Sequence, residues 1–221
     1  KYGALLIFDE VVTGFRIGMG CAQGYFGVSP DLTIFGKVVA GGYPGAGGLG
    51  GKKEYMQYLS AGIAGGVKHK KALVGGTMAA TPISCVAGYH TLCEIDETGA
   101  CEKAGQMGDR LTAGLKELIK KYNLPFVAFN QGSICHLETV GTMHFFIDWS
   151  KPWRIPQVLK ATSVRKKEME HMGAAYMAEG LVTLAGSRLY TSAAYTKEMI
   201  DEALEAFDRV FANVGLIESK T

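Results

Sequence analysis

Two short apolar runs near the amino terminus constrain the fold of this chain more than any other feature. The first, residues 5–8, ends at Asp9, and the second, residues 32–35, is followed by a glycine and Lys37. Short apolar runs that end in polar residues are typical of buried strands in a parallel sheet. Open α/β sheets bind their ligands beyond the carboxyl ends of such strands. We therefore expect Asp9 and Lys37 to face one cleft.

Lys37 has apolar neighbours in the sequence, because Phe35 lies before it and Val38 and Val39 follow it. Partly apolar surroundings lower the pKa of a lysine and favour the nucleophilic free amine. A buried carboxylate at Asp9 and an activated amine at Lys37 are the two groups that a pyridoxal phosphate enzyme needs. Taken singly, each residue has a plainer interpretation, as a helix cap or ion-pair partner for the aspartate and as a surface residue for the lysine.

The longer motif that contains both residues resembles the class III (subgroup II) aminotransferases, and among them it looks most like the glutamate-1-semialdehyde aminomutase subgroup. The matching pieces are residues 6–11, Gly14-Phe15-Arg16, Pro30-Asp31-Leu32, Gly36-Lys37 and Gly41-Gly42, with Pro44 just after. The resemblance implies an α/β fold, namely part of a fold-type I large domain that binds pyridoxal 5'-phosphate, followed by a small α+β carboxyl-terminal domain. We expect these domains to cover residues 1–98 and 99–221, and the chain to be the carboxyl-terminal half of a longer protein.

The resemblance also implies roles for individual residues. Lys37 would form a Schiff base with the cofactor and then act as base and acid in the proton shift. Asp9 would pair with the pyridine nitrogen, and Val11, on the same side of an extended chain, would pack against the ring face. A hydroxyl group and glycine amides in a loop can bind phosphate oxygens, and by the resemblance Gly76 and Thr77 would bind the cofactor phosphate of the neighbouring subunit.

This assignment of Gly76 and Thr77 implies a homodimer with shared active sites, although an ordinary loop threonine is an equally good interpretation.

The uncharged run over residues 72–93 predicts a loop and a buried helix rather than a membrane span, with Thr81 as N-cap and Pro82 at the first helical position.

Periodic patterns predict the remaining elements. Residues 11–27 are rich in glycine and aromatic residues, which indicates a winding segment rather than a regular helix. Further elements follow from hydrophobic periodicity and capping residues: a helix over residues 104–122, strands over 125–128, 134–137 and 142–147, a helix over 156–177, an edge strand over 181–184, and a last helix capped by Thr196.

Composition argues against several other functions. The net charge is +2 with mixed signs, so we expect no nucleic-acid or membrane partner. The five cysteines include no CxxC pair, which indicates neither a disulfide framework nor a zinc site and favours a reducing cytoplasm. Gly45, Gly47 and Gly50 match a dinucleotide fingerprint in spacing, but no apolar strand leads directly into them and the acidic residue expected further on is absent.

Three functions remain open. The first is an aminotransferase that moves an amino group between an amine or amino acid donor and a carbonyl acceptor through the Lys37 Schiff base. The second is an intramolecular aminomutase of the glutamate-1-semialdehyde to 5-aminolevulinate type. The third is an inactive fragment that acts only in dimerisation or binding.

Arg16 and Arg188 could bind a substrate carboxylate, and Glu10 has no part beyond a structural ion pair.

Overall fold

A computed structural model describes residues 2–59, 71–72, 74–139, 150, 152–184 and 186–218. The chain divides into two compact units, Lys1–Glu102 and Lys103–Thr221. The predicted strand over residues 142–147 lies outside the described residues. No described helix combines the length and the apolar character that a bilayer-spanning segment requires.

The sheet of the first unit has three strands in the order β1 (Ile7–Asp9), β2 (Leu32–Phe35) and β3 (Gly48–Gly51). β1 and β2 are parallel, whereas β3 is antiparallel to β2. The parallel pairing that the two apolar runs predicted is therefore confirmed. The predicted burial of β1 is wrong, because Ile7 is 50% exposed. A parallel strand is buried only when both faces of the sheet are covered, and the described residues of this unit do not cover β1.

Asp31 links all three strands through its carboxylate. One oxygen accepts a hydrogen bond from the backbone N–H of Leu6 at 2.8 Å, and the other accepts one from Lys52 Nζ at 2.6 Å. The hydrogen bond from Lys52 lowers the pKa of Asp31 below its ordinary value. The Pro30-Asp31-Leu32 piece of the motif thus has a structural part to play at the amino ends of β1 and β2.

The helices of the first unit are α1 (Cys21–Phe26), α2 (Lys53–Met56) and α3 (Pro82–Thr98). The prediction of no regular helix between residues 11 and 27 is wrong, because α1 forms there. Its first turn is bound by a carboxylate from outside the segment, which the local glycine-rich pattern does not reveal. The predicted start of α3 is confirmed, with Thr81 at the N-cap position and Pro82 as the first helical residue.

α3 is not the buried helix that its uncharged sequence predicted. Ile83, Val86 and Tyr89 are 60%, 59% and 65% exposed. A helix that is apolar on all sides is expected to be buried, but the described residues of the first unit cover α3 only on the side that carries Gly88, which is buried.

That side of α3 packs at close range against the 3-10 helix Lys37–Ala40, here named the Lys37 turn. A Cβ atom added at Gly88 would overlap the carbonyl oxygen of Val39, and one added at Gly41 would lie 2.5 Å from the carbonyl carbon of Ala87. Because both obstacles are backbone atoms, no side chain could rotate to relieve the overlap. α3 and the Lys37 turn therefore fit together only with glycine at these positions.

The second unit has an antiparallel sheet in the order β4 (Val127–Gln131), β5 (Ile134–Glu138) and β6 (Arg188–Tyr190). The helices α4 (Ala100–Lys121), α5 (Ile155–Ala178) and α6 (Lys197–Glu218) complete the elements in this part of the chain. The predicted strands near residues 125–128 and 134–137 and the predicted helices are confirmed, with shifts of a few residues at their ends.

The ends of two elements test the capping and edge predictions. The predicted cap of α6 is confirmed, because Thr196 Oγ1 accepts a hydrogen bond from the backbone N–H of Met199 at 3.3 Å. The predicted edge strand over residues 181–184 is wrong. Within residues 181–184 only Leu184 pairs, in a single bridge with Arg188. The strand at the edge of the sheet is β6, whose residues form a hydrogen-bonded ladder with β5.

The core of the second unit lies between the sheet and its helices. Leu115, Leu137 and Phe211 are completely buried, and the ring of Phe211 meets that of Phe126 edge to face at 5.4 Å. On the opposite face of β5, the His136 ring stacks on Phe129 at 4.8 Å, and burial lowers the pKa of His136.

The packing of α3 on the Lys37 turn predicts that Gly88→Ala destabilises the protein by about 1–3 kcal/mol, as overpacking against fixed atoms does. The matched control is Gly24→Ala in α1, where an added Cβ meets no atom within 4 Å. Alanine is the better helix former at both positions by up to about 1 kcal/mol, so the difference between the two variants isolates the overlap. Urea unfolding followed by circular dichroism measures it, and equal stabilities would contradict the packing argument.

Candidate active site

Asp9 and Lys37 lie at the carboxyl ends of adjacent parallel strands. Asp9 is the last residue of β1 and pairs with Ile34 of β2, and Lys37 begins the Lys37 turn just beyond β2. The backbone N–H of Glu10 donates to the carbonyl oxygen of Ile34 at 2.8 Å, which carries the pairing one residue past β1. The structure therefore brings the two predicted residues to one edge of the sheet, where α/β sheets bind ligands.

Both residues differ from expectation in their burial. Asp9 and Lys37 are exposed, so the buried carboxylate and the apolar enclosure of the lysine are not formed by the described residues. The buried carboxylate is the next one, because Glu10 is only 1% exposed. Neighbouring side chains on an extended strand point to opposite faces, and the carboxylate of Glu10 is bound by the first turn of α1.

The backbone of Lys37 is unusual. Its φ of 51° lies in the left-handed region, which costs a residue with a side chain about 1–3 kcal/mol and persists only where the surroundings impose it. Here the close packing of α3 on the Lys37 turn imposes it, and a hydrogen bond from the N–H of Gly41 to the carbonyl of Val38 at 2.9 Å closes the turn. Strained residues of this kind cluster at functional sites.

Val11 lies beside the residue that precedes Lys37. A Cβ atom added at Gly36 would lie 3.2 Å from Val11 Cγ1, so the absence of a side chain at Gly36 lets Val11 contact the backbone there. The carboxylate of Asp9 accepts a hydrogen bond from the N–H of Val11 at 3.1 Å. Asp9 is thus linked to Val11 by a hydrogen bond, and Val11 contacts Gly36, the residue before Lys37.

Glu10 is the residue whose role the sequence did not reveal. Its carboxylate accepts hydrogen bonds from Thr13 Oγ1 at 2.6 Å and from the backbone N–H groups of Ala22 and Gln23 at 3.0 and 3.1 Å. It therefore binds the first turn of α1 instead of forming the ion pair that was considered. Thr13 lies only three residues after Glu10, so the sequence could have suggested this one hydrogen bond. The two amide donors are too distant in the sequence for a local pattern to indicate them.

The loop between β1 and α1 is held at several points. The N–H of Gly14 donates to the Glu10 carbonyl at 2.9 Å, and the rings of Phe15 and Phe35 lie 5.8 Å apart. Cys101 Sγ donates to the carbonyl oxygen of Phe15 at 3.2 Å, and burial raises the pKa of this thiol. These contacts give the loop a defined path from Glu10 to α1.

The other predicted residues are Gly76, Thr77, Arg16 and Arg188. Gly76 and Thr77 are exposed and belong to a turn in which the N–H of Ala79 donates to the Gly76 carbonyl at 2.9 Å. Arg16 is half-buried in the first unit, whereas Arg188 is exposed at the start of β6 in the second. Phosphate binding by Gly76 and Thr77 and carboxylate binding by either arginine stay predictions.

Sequence comparison identifies relatives over nearly the whole chain. The family model described as Aminotransferase class-III matches residues 1–211. The chain is 38% identical to glutamate-1-semialdehyde 2,1-aminomutase 1 of Staphylococcus epidermidis over 218 aligned residues. The aligned region covers 97% of this chain and 46% of the relative. The chain therefore spans about half the length of the curated relatives that it matches.

Comparison with solved structures gives the same picture for the fold. The β-phenylalanine aminotransferase of Variovorax paradoxus superposes with a TM-score of 0.77 at 22% identity, over 97% of this chain and 45% of that one. The FumI protein of Sphingopyxis sp. MTA144, solved in its PLP internal aldimine form, superposes with a TM-score of 0.71 at 26% identity, over 96% and 44%.

Proposed function

This chain belongs to the class-III aminotransferase family, and from that membership we propose that it uses pyridoxal 5'-phosphate to transfer an amino group between a small amine or amino acid and a carbonyl acceptor. The observation that supports the proposal best is the position of Asp9 and Lys37 at the carboxyl ends of the parallel strands β1 and β2. A carboxylate and a primary amine at one ligand-binding edge are the donor set that this cofactor requires.

The residues at this edge fit the cofactor in their chemistry. Lys37 has a primary amine that can condense with an aldehyde, and its exposure leaves that amine accessible. Asp9 is an exposed carboxylate that can pair with a protonated ring nitrogen, and its hydrogen bond from the Val11 N–H restricts its orientation. Val11 offers an apolar surface next to Gly36, on which an aromatic ring can pack.

The bound cofactor would supply the electron sink that stabilises negative charge at the substrate Cα. Lys37 Nζ would hold the cofactor covalently, accept the proton from the substrate Cα once the substrate amine has displaced it, and return that proton to the acceptor carbon. Asp9 would keep the ring nitrogen protonated. Gly76 and Thr77 would bind the phosphate group from the neighbouring subunit.

A homodimer with shared active sites is part of this proposal. The exposed apolar residues Ile83, Val86 and Tyr89 on α3 support it, because large exposed apolar patches are typical of interfaces. They lie on the helix that follows the Gly76-Thr77 turn. All five cysteines are free thiols, which agrees with the proposed location in a reducing cytoplasm.

An intramolecular aminomutase is the second candidate function. It is favoured by the 38% identity to a relative named glutamate-1-semialdehyde 2,1-aminomutase. Both candidates use the same residues at the Asp9–Lys37 edge, so those residues do not separate them. A role in binding or dimerisation alone is the third candidate, and it needs no cofactor.

Trapping with borohydride tests the cofactor attachment. Reduction of the loaded protein should leave the cofactor mass on the peptide that contains Lys37, and Lys37→Ala should lose both that mass and all turnover. The matched control is Lys53→Ala, which removes another exposed lysine of the same unit and should keep both. Cofactor mass on the Lys37→Ala protein would refute the assignment, and a parent protein that takes up no cofactor would support the binding-only candidate.

Asp9→Asn should retain covalent attachment while slowing proton transfer at the substrate Cα by about two to three orders of magnitude, as expected when a stabilising charge is removed. Single-turnover absorbance measurements give this rate directly, separate from product release. Glu54→Gln, which neutralises an exposed carboxylate on α2, serves as the control and should leave the rate unchanged. A normal rate in Asp9→Asn would remove Asp9 from the mechanism.

Product analysis separates the two enzymatic candidates. An aminotransferase should turn over continuously only when a 2-oxo acid is supplied as amino acceptor, because donor and acceptor are different molecules. An aminomutase should convert glutamate-1-semialdehyde to 5-aminolevulinate without any added acceptor. Chromatography of the products with and without the 2-oxo acid measures the difference, and turnover that requires the acceptor would exclude the aminomutase.

A further inference from the structure

Glu10 is held at the ligand edge by hydrogen bonds of both its backbone and its side chain. Its backbone N–H donates to Ile34 of β2, its carbonyl accepts from Gly14, and its carboxylate accepts from three donors. At 1% exposure it is as deeply buried as the core of the second unit. Removing a carboxylate from water is costly unless hydrogen bonds replace the lost solvation. The protein thus holds a buried carboxyl group directly between Asp9 and Val11.

The bonds of Glu10 determine where its two neighbours lie. The carboxylate of Asp9 is oriented by the N–H of Val11, and the peptide unit between Glu10 and Val11 carries that N–H. If Glu10 lost its bonds to α1, this peptide unit could rotate, and the Asp9 carboxylate would lose its orienting donor. Val11 would also lose its position against Gly36.

We propose that Glu10 is a positioning residue, which fixes the backbone between Asp9 and Val11 by binding its carboxylate to Thr13 and the first turn of α1. This inference rests on the proposed function, since it concerns the two residues assigned to the cofactor ring. Glu10 itself does not touch the cofactor. Because Glu10 points to the opposite face from Asp9, its carboxyl group is satisfied by hydrogen bonds inside the protein and leaves Asp9 as the carboxylate that meets the ring nitrogen.

A double-mutant cycle tests the proposal with the dissociation constant of pyridoxal 5'-phosphate and the visible absorption spectrum as readouts. Asp9→Asn and Glu10→Gln should each weaken cofactor binding by about tenfold, in keeping with the loss of one charge-assisted bond. They should also change the spectrum in the same way. The double variant should bind pyridoxal 5'-phosphate no more weakly than the single variant with the lower affinity, because the effects of substitutions at residues that act as a unit are not additive.

The outcomes distinguish this inference from the proposed function. If Glu10 is only structural, Glu10→Gln should lower stability to urea while its spectrum and cofactor affinity match the parent, and the cycle should be additive, which would overturn the inference alone. If the parent binds no cofactor, or if Asp9→Asn has the parent spectrum and affinity, the proposed function and the inference both fail. Glu54→Gln is the control for loss of a negative charge in the same unit.

A second variant covers the case in which Glu10→Gln does not fold. Thr13→Val removes one of the three donors to the carboxylate and leaves the two amide bonds of α1 in place. It should weaken cofactor binding by a smaller factor and shift the spectrum in the direction of Asp9→Asn. A parent-like spectrum and affinity in Thr13→Val would then overturn the positioning role.

Discussion

The parallel pairing of β1 with β2 is the interaction on which the candidate site depends. It sets Asp9 opposite Ile34, and the hydrogen bond from the Glu10 N–H to Ile34 extends it to the point where both strands have ended. A register shift of one residue would turn every side chain of a strand to the other face. Such a shift would exchange Asp9 with Glu10. Only the observed register puts one carboxylate at the ligand edge and the other in the interior.

Close backbone contacts fix the position of Lys37, the second residue of the candidate site. Gly88 and Gly41 let α3 and the Lys37 turn approach until backbone atoms touch, and Gly36 lets Val11 reach the chain just before Lys37. Two of these glycines, Gly36 and Gly41, belong to the motif around the lysine, which itself adopts the strained conformation. The physical reading of Gly36-Lys37 and Gly41 is therefore steric: they allow packing that forces the lysine into one backbone conformation.

Much of the fold could be predicted, and the errors share one cause. The family and the α/β fold class indicated by the motif are confirmed by the match over residues 1–211 and by the structural neighbours. Helix α6 with its Thr196 cap was predictable because its pattern and its cap are local. The burial of β1, the exposure of α3 and the edge place of β6 were not, since each depends on which other element covers it.

The sequence by itself determined the family, the parallel strands and the two residues at their carboxyl ends, Asp9 and Lys37, because these are properties of short segments with a distinctive order. Only the tertiary structure decided which carboxylate is buried and what Glu10 binds. Its partners on α1 are 12 and 13 residues away, and a hydrogen bond across that separation exists only after the loop has folded back onto the strand.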